Sequence, residues 1–287
     1  MERGWLSSLG TPLAALCGLA VAFAVRESIA RFGLSRGYGG AVAAAGLLLT
    51  TSPLVFMLVT EEPFQQVKQQ RRLGAYFREM GPFLRADGRF RWFIAVVSLW
   101  LTAITGASYF TVYAMNRFAA GPTAVMGYTI FLTLGAGLAG LVGGAAANRK
   151  GYVRVFLCGL AGTTLSMLVA FLGPWAWCMY LAFGLAGASS SACMMGVVYL
   201  PMEMGGQDNV PTYVGISSLV RAPMGALAPL LAGVYLERFP YPPLFVFCAL
   251  SGVLGAFLLA RYVEEPRSQA PATTPELPRE PKRKVAA

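Results

Sequence analysis

Eight stretches, at residues 9–25, 40–59, 92–114, 122–147, 152–172, 175–202, 211–236 and 241–263, are apolar over most of their length. A helix needs roughly 20 such residues to cross the hydrocarbon core of a bilayer. A succession of them leaves the chain one kind of fold. In lipid only helices and closed barrels satisfy the backbone, and barrel strands alternate in polarity where these runs do not. The expectation is an all-α membrane protein with about eight transmembrane helices.

The charge content agrees. Charged residues are 13% of the chain, against about 25% in soluble domains, too few for a watery surface of this size. The net charge of +10 therefore reads as loops and a tail facing anionic lipid, not as a nucleic-acid surface. Cys17, Cys158, Cys178, Cys193 and Cys248 are scattered through apolar runs without a CxxC pair, as packing residues are. Histidine is absent, which removes Ser-His catalysis, HExxH zinc sites and histidine relays together. No catalytic residue, metal ligand or cofactor is expected.

The loops set the expected orientation. Residues 60–91 carry Lys68, Arg71, Arg72, Arg78, Arg85, Arg89 and Arg91, with Phe64, Val67, Leu73, Tyr76, Phe77, Met80 and Leu84 near helical spacing. This reads as an amphipathic helix at the membrane interface, or as a solvated linker helix. Loops 60–91 and 148–154 hold ten basic residues, and the opposite loops, including 26–38, hold five. Basic loops favour the cytoplasm, so both termini are placed there. Residues 264–287, rich in Pro, Ala, Thr and charge, form an expected disordered cytoplasmic tail.

The tightest constraint between two spans is the segment Gly144 to Arg154. One apolar run ends there, Arg149, Lys150 and Arg154 follow, and the next run begins at once. Gly151 lets the chain reverse at positive φ. Small residues on either side, Ala136, Gly140 and Gly144 on the fourth span and Gly184, Gly187, Ala188, Ala192 and Gly196 on the sixth, predict close helix contacts in lipid.

Polar residues inside the spans are the candidate site. Arg221 lies near the middle of the seventh span, where a charge costs several kcal/mol unless it meets water or a partner. Tyr213, Ser217 and Arg221 repeat every four residues and share one face. That face either lines a polar cavity that binds an anionic group, or holds a structural arginine. On the third span Thr102, Thr105, Tyr109, Tyr113 and Asn116 fall in one sector of an unbroken helix. Such a stripe points to a cavity or to a neighbouring helix. Tyr128, Thr129 and Thr133 on the fourth span, and Ser189, Ser190, Ser191 and Met194 on the sixth, are weaker candidates of the same kind. No Asp or Glu lies deep in a span. Glu203 either latches onto the basic loop at 149–154 or stands as a lone surface carboxylate.

With these residues in view, the chain resembles the major facilitator superfamily. Gly144, Arg149, Gly151 and Arg154 are similar to that family's loop motif Gly-x-Leu-x-Asp-Arg-x-Gly-Arg-Arg, with Asn148 in place of the Asp and Tyr152-Val153 in place of a basic pair. Thr60-Glu61-Glu62-Pro63 and Val263-Glu264-Glu265-Pro266 resemble the exits of the last helix of each half. The resemblance implies that 1–59 holds the last two helices of the N-terminal half, 60–91 the central loop, and 92–263 the C-terminal six-helix bundle, and that the chain is a truncated or split form. It implies a cavity lined by the third, fourth, sixth and seventh spans, and gating at the loop motif, Gly144, Asn148, Arg149, Gly151 and Arg154, to which Glu203 is added as the candidate latch.

The function expected is transport of a small solute by an alternating-access secondary transporter, multi-pass in a cell or inner membrane. Its partners are the bilayer, a small-molecule substrate, a coupling ion and a missing N-terminal helical segment, with no nucleic acid. The rival readings are a non-transporting remnant or membrane scaffold of the same fold and, behind it, a polytopic membrane enzyme.

Overall fold

The computed structural model describes residues 3–58, 81, 84 and 87–265. The interfacial helix expected within 60–91 and the tail beyond 265 lie outside the described residues. Among those described, nine α-helices and one 3-10 turn follow one another. They are α1 (Arg3–Phe32), α2 (Leu34–Phe56), α3 (Gly88–Thr105), the turn Gly106–Tyr109, α4 (Phe110–Phe118), α5 (Pro122–Lys150), α6 (Tyr152–Leu172), α7 (Trp177–Met204), α8 (Gly206–Leu236) and α9 (Tyr241–Tyr262). Among the described residues seven segments are long and apolar enough to cross a membrane, with α3, the turn and α4 forming one of them. The run at 9–25 lies inside α1. The chain is an all-α membrane protein.

Local signals explain where the helices start and stop. Asp87 caps α3, its Oδ1 accepting from the Phe90 N–H at 3.0 Å. Pro122 opens α5, where a missing N–H costs nothing. Gly151 ends α5 and begins α6 in a single residue at φ +88° and ψ 164°, a region open in practice to glycine alone. Gly33 does the same between α1 and α2 at φ +80° and ψ 168°.

That second junction corrects an expectation. Residues 26–38 are not a turn. The helix runs through Arg26 and Glu27 to Phe32 and restarts at Leu34. The charges are accommodated on the helix itself, Arg31 Nε bonding Glu27 Oε1 at 2.8 Å one turn away. The chain then doubles back so closely that a Cβ on Gly37 would stand 2.7 Å from Ile29 Cα.

α7 is the centre of the bundle, packing along α5 on one side and α6 on the other. α9 lies against α3 and α6, and α8 against α3 and α7. α1 packs on the outside of α5 and carries α2. Small residues make the central contacts possible. A Cβ on Gly187 would fall on the Leu132 carbonyl oxygen, and one on Gly135 on the Gly184 carbonyl oxygen. The α5–α7 contact thus runs through Gly135, one residue from the expected Ala136. Gly196 accepts the Phe156 ring, where a Cβ would be 2.7 Å from Phe156 Cβ.

Aromatic side chains fill the two ends. One cluster gathers Phe90, Phe93, Trp100, Phe156 and Tyr213, the other Phe110, Tyr113, Tyr128, Phe183 and Phe245. Outside, the surface is apolar: Leu49 is 74% exposed and Val142 69%. Such faces are at home in hydrocarbon and nowhere else at this density.

Candidate functional site

Two places gather the polar groups. The first is the α5/α6 hairpin. Tyr152 and Val153 supply the first N–H groups of α6, which have no partner within the helix. The Glu265 carboxylate answers both: Oε1 accepts from Tyr152 N–H at 3.2 Å and Oε2 from Val153 N–H at 3.0 Å. The positive end of the helix dipole favours the same charge. Gly151 is required a second time here, since a Cβ on it would fall on the Glu265 carboxylate. Asn148, Arg149, Lys150 and Arg154 surround the pair in an open cleft of about 580 Å³. Gly144 is buried beneath it and Asn148, Arg149 and Arg154 are exposed. Glu203 is half-buried near the end of α7. Glu265 is a carboxylate that reaches the hairpin, and Glu264 lines the same cleft.

The second place is α8 and what faces it. Tyr213 is buried, and its hydroxyl donates to Asp87 Oδ2 at 2.7 Å. One carboxylate thus caps α3 and ties down the start of α8. Ser217, one turn on, is 3% exposed, and its Oγ has no hydrogen-bond partner among the described residues. Arg221, another turn on, stands 15 residues from either end of α8. It is half-buried and makes no hydrogen bond or ion pair among the described residues. Farther along, Tyr109 donates to the Pro229 carbonyl at 2.6 Å.

The third-span stripe does not stay in one sector. The 3-10 turn Gly106–Tyr109 winds at about 120° per residue where an α-helix winds at about 100°, so its four residues shift the phase of all that follows. Gly106 sits there because a side chain would meet Met167 Sδ at 2.7 Å. Thr102 and Thr105 bond back to their own helix, to Ser98 O at 3.0 Å and Leu101 O at 2.8 Å. Tyr113 packs against Tyr241 and Phe245, with its hydroxyl accepting from Arg117. Asn116 reaches Tyr241 Oη at 3.5 Å. Most of the stripe therefore bonds to itself or to α8 and α9.

Thr102 and Thr105 also line a cavity of about 520 Å³ between α3, α8 and α9, walled further by Met224, Ala228, Leu231, Tyr235 and Cys248. Tyr128, Ser190 and Met194 do not line it. Tyr128 is 1% exposed, stacked on Phe183 with ring centroids 4.9 Å apart. Ser190 is half-buried, and Met194 is 46% exposed.

Sequence reasoning missed Asp87 and Glu265 as ties. Asp87 carried a signal, a capping residue just ahead of an apolar run. Glu265 was visible as part of a helix exit, but its partner lies 113 positions away. A family model described as Major Facilitator Superfamily matches residues 93–286. No curated protein matches the chain.

Proposed function

The chain belongs to the Major Facilitator Superfamily and is a membrane transporter of that kind, and from this we infer that it carries a small solute by alternating access past the polar row on α8. In such transporters two helical bundles rock about a site near the midplane. Here α3 to α9 would form one bundle, while α1 and α2, seated on α5, would move with the other. The hairpin of α5 and α6 and both termini would face the cytoplasm, as its basic residues favour.

The observation that carries the reading is Arg221. A guanidinium at the midpoint of a membrane-spanning helix is costly unless it faces water or a partner. Among the described residues Arg221 has neither an acid nor a hydrogen-bond acceptor. A solute bearing negative charge, or the water of a translocation path, would supply what the chain does not. Ser217 Oγ, buried and without a partner on the same face, would add a neutral hydrogen bond.

The test is access to water. With the five native cysteines replaced, Ser217→Cys and Arg221→Cys would be labelled by a membrane-impermeant maleimide in proteoliposomes. The reading expects labelling that depends on the side of addition and on the presence of solute. Both positions sealed under every condition would remove the translocation path from α8.

A further inference from the structure

We propose that the cavity between α3, α8 and α9 takes the apolar tail of a single-chain organic anion, whose carboxylate or phosphate head pairs with Arg221. This rests on reading Arg221 as a substrate group and adds the substrate class.

The cavity recognises hydrocarbon. Three of its four polar wall groups are already occupied: Thr102 and Thr105 bond back to their own helix, and Cys248 Sγ donates to Thr102 O at 3.4 Å, which leaves the Tyr235 hydroxyl at the far end from Arg221. The rest of the wall is apolar, with Met224, Leu227, Leu231, Leu244 and Phe247 its largest side chains. Its volume of about 520 Å³ lies in the ordinary range for small-ligand pockets. α8 and α9 each pack on α3 but make no extensive contact with one another, and Leu231 and Phe247 at the rim are 63% and 58% exposed. The cavity therefore opens sideways into the bilayer, where an amphiphile is already dissolved.

The charge lies at the cavity's end. At about 100° per residue, Ser217, Arg221, Met224, Ala228, Ala232 and Tyr235 fall within about 80° of one another on α8. Arg221 is one turn beyond Met224, the last lining residue on that side. From Met224 to Tyr235 the wall runs about 16 Å at 1.5 Å per residue, room for a medium-length chain. A tail in the cavity would bring its head to the level of Arg221, where an anion removes the cost of an uncompensated cation in lipid. A neutral or cationic amphiphile would fill the same space and leave that cost standing.

The experiment uses the full chain in proteoliposomes with a diazirine-bearing dodecanoate, its alcohol analogue, and mass-spectrometric mapping of the adducts. Adducts are expected on 224–235 and 243–248, at least fivefold more with the carboxylate than with the alcohol. Arg221→Gln should abolish that difference, Arg221→Lys should keep most of it, and Ala228→Trp or Ala232→Phe should lower labelling by both probes at least tenfold. Competition by dodecanoate against lysophosphatidate separates a free carboxylate from a lipid phosphate head. Equal labelling by both probes, or adducts spread evenly over other lipid-facing stretches such as 138–142 and 250–254, would overturn the proposal. Site labelling without dodecanoate flux would leave the ligand assigned and remove the transport reading, while flux of another solute without labelling here would do the reverse.

Discussion

The Gly151–Glu265 pair allows a sharp energetic test, because one substitution should remove two things at once. Glu265→Ala deletes a carboxylate that accepts from the first two N–H groups of α6. Loss of a helix cap costs about 1 kcal/mol, and loss of a negative charge at the helix start adds about 0.5–1 kcal/mol. The single variant should thus lose about 2 kcal/mol. Gly151→Ala forces a Cβ onto φ +88°, at about 2 kcal/mol of backbone strain. The same Cβ occupies the space of the Glu265 carboxylate, so the cap is expelled as well, bringing the total to about 4 kcal/mol. In the double variant the cap is already gone. It should cost about 4 kcal/mol, where independent sites would cost about 6 kcal/mol. Reversible unfolding of the purified chain by SDS titration in mixed micelles measures all four corners of the cycle. Additivity within about 0.5 kcal/mol would mean that the carboxylate does not sit over Gly151, and would refute the argument.

Further outcomes follow from single contacts. Tyr213→Phe breaks the bond to Asp87 Oδ2 and should cost about 2 kcal/mol, as bonds to charged groups do, by the same SDS titration. Tyr109→Phe breaks a neutral bond to Pro229 O and should cost only about 0.6 kcal/mol, the usual worth of such a bond in a membrane protein. Gly187→Ala puts a Cβ on the Leu132 carbonyl and must part α5 from α7, at a cost of about 3 kcal/mol or more, read as loss of the monodisperse species on size exclusion. Gly46→Ala, with nothing within 4 Å of the added Cβ, should leave stability unchanged or raise it by up to about 1 kcal/mol. Arg221→Ala, with insertion intact, should abolish solute flux in proteoliposomes; undiminished flux would show that the guanidinium has no part in it.

Helix positions were largely legible because lipid leaves the backbone no alternative to internal bonding. The run at 152–172 coincides with α6, and the run at 241–263 exceeds α9 by one residue. What misled was charge and phase. Arg26, Glu27 and Arg31 look like a loop when polarity alone is read, but an i,i+4 pair is compatible with a continuing helix. The third-span stripe assumes one period throughout, and the tight turn begins at Gly106, where Met167 and Cys248 of other helices leave no room for a Cβ. Nothing local to 102–116 announces that. Arg221 was legible for the opposite reason: a charge amid an apolar run is conspicuous wherever its partner lies. Asp87 and Glu265 act across more than 100 positions, and one sequence holds no record of such pairings.

The distribution of ties along α8 connects these observations. The bundle around it is closely packed, with helices in backbone contact through Gly135, Gly187 and Gly159 and aromatic clusters filling both ends. α8 is held differently. Tyr213 binds it to Asp87 near its start, and Tyr109 binds it to α3's continuation at Pro229. These pins stand about 24 Å apart along the helix axis at 1.5 Å per residue. Between them lie Ser217 and Arg221, neither with a partner among the described residues, and Pro223, which has no N–H to give to the carbonyl one turn back. Proline inside a helix is the commonest place for it to bend. Ile216, 2% exposed, packs into the core between the pins, so the stretch open to a proline bend lies beyond it, around Arg221 and Pro223. A bend at Pro223 would be felt first at the depth of Arg221, where the charge is. The proposed carrier reading needs that coincidence, because a group that holds the solute would have to sit on the element that yields.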